Sequence, residues 1–302
     1  MLDLSTYHFY REVQLWPLAR ELNYEQWLNN FEEGEDQDIA QRILDFFVYI
    51  PDILVDQMLQ TVIGKCGYFF KERVRGWNND SFTKDCWYSF IPGETPSYTD
   101  SGYIFTRKLR DRVGIPEKHI LGFDQLMYNI TQGIPIKNVI LVDDFVGSGA
   151  QCDAAWNYHK LGTTGITLAS LTQLKNLNVV YAPLIVNEMG RQRIEGACLG
   201  LKLEFIHLLK EEYNLFNEKG LCWNGDHALY SRWISLFNKI CKQERITLTG
   251  GRSVNDGKGF AEQGLAIAFN HGIPDACPAF FYWNSDTWKP LIKKHYLHGS
   301  KR

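Results

Sequence analysis

Residues 138–151 read NVILVDDFVGSGAQ, and they restrict the fold more than any other stretch of the chain. Val139, Ile140, Leu141 and Val142 form an unbroken, mostly β-branched run, which suits a strand covered on both faces, as in the parallel sheets of α/β proteins. The run ends in two carboxylates, Asp143 and Asp144. Phe145 and Val146 follow, then Gly147, Ser148 and Gly149, then a segment starting at Ala150 and Gln151 whose Ala154, Ala155, Tyr158 and Leu161 share one helical face. Glycines let backbone N–H groups converge on an anion, a helix N-terminus adds its positive end, and Ser148 offers a hydroxyl. Acids at the carboxyl end of a strand, where open α/β sheets bind ligands, accept from sugar hydroxyls or from metal-bound water. The stretch therefore predicts a site for a sugar 5-phosphate.

Other readings of the same residues make different demands. A Walker B strand also runs apolar residues into acids, but it needs a G-x-x-x-x-G-K-[ST] loop, and residues 251–259 have the wrong spacing. A receiver-type acidic pocket belongs near a domain start and does not require the Gly-Ser-Gly loop. A buried strand that simply ends in an Asp-rich turn is the remaining rival, since Asp and Gly are common turn residues.

The chain has 302 residues, enough for one elaborated domain or two with a large core. Its net charge of -3 gives no electrostatic footprint for general nucleic-acid binding, so any such contact is indirect or local. Nine Trp and eighteen Phe are read first as packing. Seven cysteines occur without a C-x-x-C pair or a zinc spacing, which predicts free thiols in a reducing compartment. No run approaches the apolar length of a membrane span, and the first residues carry no signal-peptide pattern. The expectation is a soluble, cytoplasmic protein with no membrane partner.

In order, the pattern predicts a helical region over 1–80, a sheet-bearing core over 81–200 and an α/β extension over 201–302. Tyr24, Trp27, Leu28 and Phe31, then Ile39, Ile43, Leu44, Phe46, Phe47 and Ile50, recur at helical spacing around an acidic run at 32–38, read as a solvated linker or a helix N-terminus. Residues 87–91 predict the first strand, 94–100 a polar loop and 103–113 a helix. Further strands are expected at 118–123, 165–171, 179–186 and 203–209, and helices at 188–199 and 226–241. Arg191, Arg193 and Glu195 are read as surface charges. The expected fold class is α/β with a doubly wound parallel sheet.

An apolar strand, two acids and a short Gly/Ser loop resemble the PRPP-binding signature of type I phosphoribosyltransferases. Gln151 stands where that family usually has Thr, and Gly147 where it has a hydroxyl residue. The resemblance implies a phosphoribosyltransferase-like core in which Asp143 and Asp144 are catalytic. It places the 5-phosphate on Phe145, Val146, Gly147, Ser148, Gly149, Ala150 and Gln151. Gly93, Ser101, Gly102 and Arg107 fall in the order of that family's pyrophosphate loop. Magnesium is the implied cofactor, with Asp143 and Asp144 as its contacts through water. The family's basic lid is represented only by 124–137, with one lysine. The ending, with a glycine-rich loop, His271 as a candidate base or leaving-group contact, and a Trp-rich segment, makes a hood-like extension that completes the site. It resembles a bacterial group of phosphoribosyltransferase-like proteins attached to conflict systems, of the retron and antiphage kind. That second resemblance implies an effector or toxin acting on PRPP or a nucleotide, with an ATPase or reverse transcriptase of a defence operon as protein partner. A catalytically silent binding module is the alternative that the same residues allow.

Overall fold

In the computed structural model, residues 4–18, 20–93, 101–253 and 255–294 are described. The chain divides into two compact units, residues 53–209 and residues 1–52 together with 210–302. Helix Asp52–Arg73, which the sequence pattern groups with the first eighty residues, thus falls almost entirely in the sheet-bearing unit.

The first part of the discontinuous unit contains α1 (Ser5–Glu12), α2 (Tyr24–Leu28), α3 (Glu35–Phe46) and β1 (Val48–Ile50). Glu35, Asp36 and Asp38 occupy the first turn of α3, where negative charge complements the helix dipole, so most of the acidic run is a helix N-terminus.

The continuous unit begins with α4 (Asp52–Arg73) and the short α5 (Ser81–Lys84), then alternates strand and helix: β2 (Cys86–Phe90), α6 (Ser101–Lys108), α7 (Phe123–Thr131), β3 (Asn138–Val146), α8 (Ala150–Asp153), α9 (Leu168–Lys175), β4 (Asn178–Asn187), α10 (Glu188–Ala197), β5 (Leu201–Leu203) and β6 (His207–Leu209). The five strands form one parallel sheet in the order β2-β3-β4-β5, with β6 also on β4. Val139 to Val142 are fully buried, as a two-face-covered strand requires. Leu126, Met127 and Ile130 of α7, Leu168 and Leu171 of α9 and Ile194 of α10 join Val139 and Leu141 in one core cluster.

Three expected strands turn out differently. Residues 165–171 do not form one: Thr167 accepts from the Ser170 amide at 3.2 Å while its own amide donates to Ser170 Oγ at 3.0 Å, a capping box that starts α9. The β-branched pair before it is too short to outweigh the cap. Residues 118–123 form a 3-10 turn at Glu117–His119 and then pair with the sheet through a single bridge, Ile120 beside Tyr88. Residues 203–209 split into the ends of β5 and β6. Pro183 lies in β4 between the two pairings, at a point where β4 has no N–H to offer. Both the helix after β3 and the helix after residue 100 finish in π-helical turns, Ala154–Tyr158 and Leu109–Val113.

The discontinuous unit is completed by α11 (His227–Glu244) and β7 (Ile267–Phe269), which pairs in parallel with β1, Val48 opposite Ile267. Its core is aromatic. Trp27 stacks on Phe280 and Phe281, Trp233 packs on Phe280, and the indole N–H groups of Trp223 and Trp233 both donate to the Leu215 carbonyl. Reading the tryptophans as packing is consistent with this arrangement. All seven cysteines are free and buried. Among the described residues no helix is long and apolar enough to cross a membrane.

Candidate functional site

Asp143 and Asp144 stand near the carboxyl end of β3, three and two residues before its last residue. Asp143 is 7% exposed and Asp144 half-buried. The Tyr181 hydroxyl, projecting from neighbouring β4, donates to Asp143 Oδ2 at 2.7 Å. Asp143 Oδ1 accepts from the Asp144 amide at 3.0 Å, and Asp144 Oδ1 from the Phe145 amide at 2.8 Å. Burial, and then the charge of Asp144, push the Asp143 carboxyl well above the usual range, against the pull of Tyr181 and the Asp144 amide. Burial and the Asp143 charge push the Tyr181 phenol up in turn, so it stays a donor. The Asp143 carboxylate is costly to hold here without a ligand. Donor hydroxyls or a cation would favour its charged form.

Phe145 and Val146 remain in β3, paired with Ile185 and Val186 of β4. With the Phe145 amide already given to Asp144, these two residues of the expected phosphate set belong to the strand. The loop proper is Gly147, Ser148 and Gly149. Gly149 has φ +74°, a left-handed residue followed by right-handed Ala150, which is an arrangement that turns successive amides toward one point. The Ala150 amide makes a long contact to Ser148 Oγ, 3.4 Å.

The loop is seated backbone to backbone on α10. A Cβ on Gly190 would lie 2.4 Å from the Gly147 carbonyl oxygen and 2.6 Å from Val146 Cγ1, and a Cβ on Gly149 would lie 2.9 Å from the Gly190 carbonyl oxygen. Only glycine fits on both sides of this crossing. Asn187 caps α10 by accepting from the Met189 amide at 2.9 Å, which holds the first turn in place. Gln151 donates from Nε2 to the Pro92 carbonyl at 3.1 Å and so ties the start of α8 to the segment after β2. The nearby Cys152 thiol is pushed well up by its hydrogen bond with Cys198, by burial and by the charges of Cys198 and Asp143, which favours the neutral thiol.

The other expected contacts are placed as follows. Gly93 precedes residues 94–100, which lie outside the described residues, and Ser101 opens α6. Gly102 is closed against β2, since a Cβ there would lie 2.2 Å from a Phe90 ring atom. Arg107 is exposed and pairs with Asp111 at 3.4 Å, and Arg110 pairs with Asp111 and Glu117. Lys137 donates to the Lys175 carbonyl. His271 lies in the discontinuous unit with its ring stacked on Phe269, while Asn270 accepts from the Tyr49 hydroxyl and Asp275 pairs with Lys294.

Sequence reasoning missed Tyr181 and Gly190. One tyrosine in the aliphatic run NVVYAPLIVN and one glycine inside a helical pattern were the available signals. A family model described as PRTase-CE matches residues 24–294. No curated protein matches the chain.

Proposed function

The chain belongs to the PRTase-CE family, a phosphoribosyltransferase-like family, and from that premise we propose that it acts at C1 of a ribose 5-phosphate carried by PRPP or a nucleotide. The observation that carries the reading is the buried acid pair of β3 running directly into a glycine loop seated on α10. Asp143 and Asp144 accept from the ribose hydroxyls, and the amides from Gly147 to Gln151 with the Ser148 hydroxyl hold the 5-phosphate. On this reading Gly93 and the backbone of Ser101 and Gly102 meet the departing pyrophosphate. The C1–O bond breaks with its electron pair leaving on pyrophosphate, the acceptor atom bonds to C1 and gives up its proton, and the acid pair steadies the positive charge that grows on the ring.

The donor set fits magnesium held through water. Asp143 and Asp144 are hard oxygen ligands, and among the described residues no group of three or more His, Cys, Asp or Glu forms a protein cage. When bound, magnesium neutralises charge on the departing pyrophosphate.

A second reading, a binding module without turnover, is favoured by one observation: Arg107 and Arg110 are engaged by Asp111 and Glu117. Calorimetry with PRPP and magnesium, followed by mass spectrometry of products, separates the two. Pyrophosphate or base release supports the enzyme, binding without release supports the module, and no binding of any ribose phosphate overturns both. The role proposed in a cell is that of an antiphage effector whose toxicity a partner ATPase or reverse transcriptase restrains, supported by the conflict-system resemblance of the tail. Expression of the protein should then arrest growth, and the Asp143→Asn, Asp144→Asn double variant should not; a toxic double variant sinks that role.

A further inference from the structure

We infer that Arg193 reads the phosphate on the Gly147–Gly149 loop, an inference that rests on the ribose-phosphate reading and adds to it the residue that supplies a whole positive charge. Two observations put Arg193 at the loop. Its Cβ lies 3.4 Å from where a Cβ on Gly149 would sit. It also follows Gly190 by three residues on α10, the spacing that shares a helix face, and Gly190 is the residue in contact with Gly147 and Gly149.

Four other arginines of this unit are already engaged. Arg191 is held by Glu188 and Glu195, Arg107 and Arg110 by Asp111, and Arg112 by Asp56. Arg193 is exposed and has no ion pair among the described residues. The loop needs such a charge. A phosphate dianion seated one residue beyond β3 is close to two carboxylates, whose repulsion backbone amides offset only with partial charges. A guanidinium presents paired N–H donors that match two phosphate oxygens at once.

The test uses the full chain and three probes: inorganic phosphate, ribose 5-phosphate, and PRPP with magnesium. Arg193→Gln should weaken all three in similar proportion, by about tenfold to a hundredfold, as expected for a hydrogen-bonded charge contact. Arg193→Lys should recover part of the loss, since lysine restores the charge without the fork. Lys175→Gln removes the same charge at the end of α9, beside the amino ends of β3 and β4 and about 30 Å from the loop by strand rise, and should bind like wild type. A ligand-free melting temperature of Arg193→Gln equal to wild type assigns the loss to binding, and the Lys variant carries the test if the Gln variant does not fold.

Wild-type affinity in Arg193→Gln for ribose 5-phosphate would make the residue a solvated surface charge and overturn the inference. Loss confined to PRPP overturns it too, because it would put the guanidinium on the pyrophosphate. Failure of the wild type to bind any of the three probes is a different result, and it removes the ribose-phosphate reading itself.

Discussion

Two glycines of one helix should respond to the same substitution with opposite signs. A Cβ at Gly190 would meet the Gly147 carbonyl oxygen at 2.4 Å and Val146 Cγ1 at 2.6 Å, whereas a Cβ at Gly196 would meet nothing within 4 Å. The Gly190 contacts are about 1 Å short of ordinary packing and one is to backbone, so α10 or the loop must shift, at a cost of about 2–3 kcal/mol, the upper part of the overpacking range. Replacing a helical glycine by alanine recovers up to about 1 kcal/mol of helix propensity. Gly190→Ala should therefore lose about 1–2 kcal/mol net, and Gly196→Ala, with the propensity term alone, should gain about 0.5–1 kcal/mol. For a unit spanning residues 53–209 one kcal/mol moves the melting temperature by about 2–4 °C. Scanning calorimetry should thus find Gly190→Ala lowered by about 2–8 °C and Gly196→Ala raised by about 1–4 °C. Because the shift falls on the loop, Gly190→Ala should also bind ribose 5-phosphate at least about tenfold more weakly, the worth of one charged hydrogen bond. Equal shifts in the two variants would refute the steric argument. A destabilised Gly190→Ala with unchanged affinity would show that this crossing does not position the loop.

Asp143→Asn should abolish ribose binding and change the pH dependence of stability. Burial raises the Asp143 carboxyl in the folded protein, so the native state binds its proton more tightly than the unfolded chain. The stability this gives is complete below the ordinary carboxylate range and is lost as pH rises through the raised native value. The melting temperature of the Asn variant relative to wild type should climb as pH rises out of the ordinary carboxylate range and through the raised native value, and parallel curves would show that Asp143 titrates normally. Gln151→Ala removes the donor to the Pro92 carbonyl and should cost about 0.5–1.5 kcal/mol. It should weaken PRPP more than ribose 5-phosphate, because the lost tie orders the segment ahead of the pyrophosphate contacts; isothermal calorimetry with the two ligands checks this.

The parts of the fold that were legible have local causes. Residues 139–142 announce a buried strand because every side chain is apolar, and the acids that follow mark its carboxyl end. Residues 179–186 and the helix after Asn187 are readable on the same grounds, a β-branched run and then a cap. What escaped is set by partners far along the chain. Val48–Ile50 is a strand because Ile267–Phe269 lies beside it, more than two hundred residues away, and by itself the segment continues the helical pattern of α3. Pro183 divides β5 from β6 through pairing on β4, which no pattern within 203–209 records. Thr167 and Ser170 are residues of a legible cap, and the β-branched residues beside them, which argue for a strand, are too few to override it. Gly190 read alone is a weak point in a helix. Its reason is Gly147, forty-three positions earlier.

The rival in which 138–151 is only a strand ending in a turn makes its own demands on these residues. Such a turn would expose its acids, since an unpaired buried carboxylate is costly, and it would place no condition on the residue facing it across the sheet. Here Asp143 is buried, with Tyr181 aimed at one oxygen, and α10 carries a glycine where any side chain would strike the loop. Both features cost stability: a carboxyl pushed toward its neutral form, and a helix interior weakened by a residue of poor propensity. They lie on different elements and have different physical origins, so neither follows from the other. Their meeting at the end of β3 is what a bound diol and a bound phosphate would require, because such a ligand would offset the first cost by donating to Asp143 and would use the second by lying close against the Gly147–Gly149 backbone.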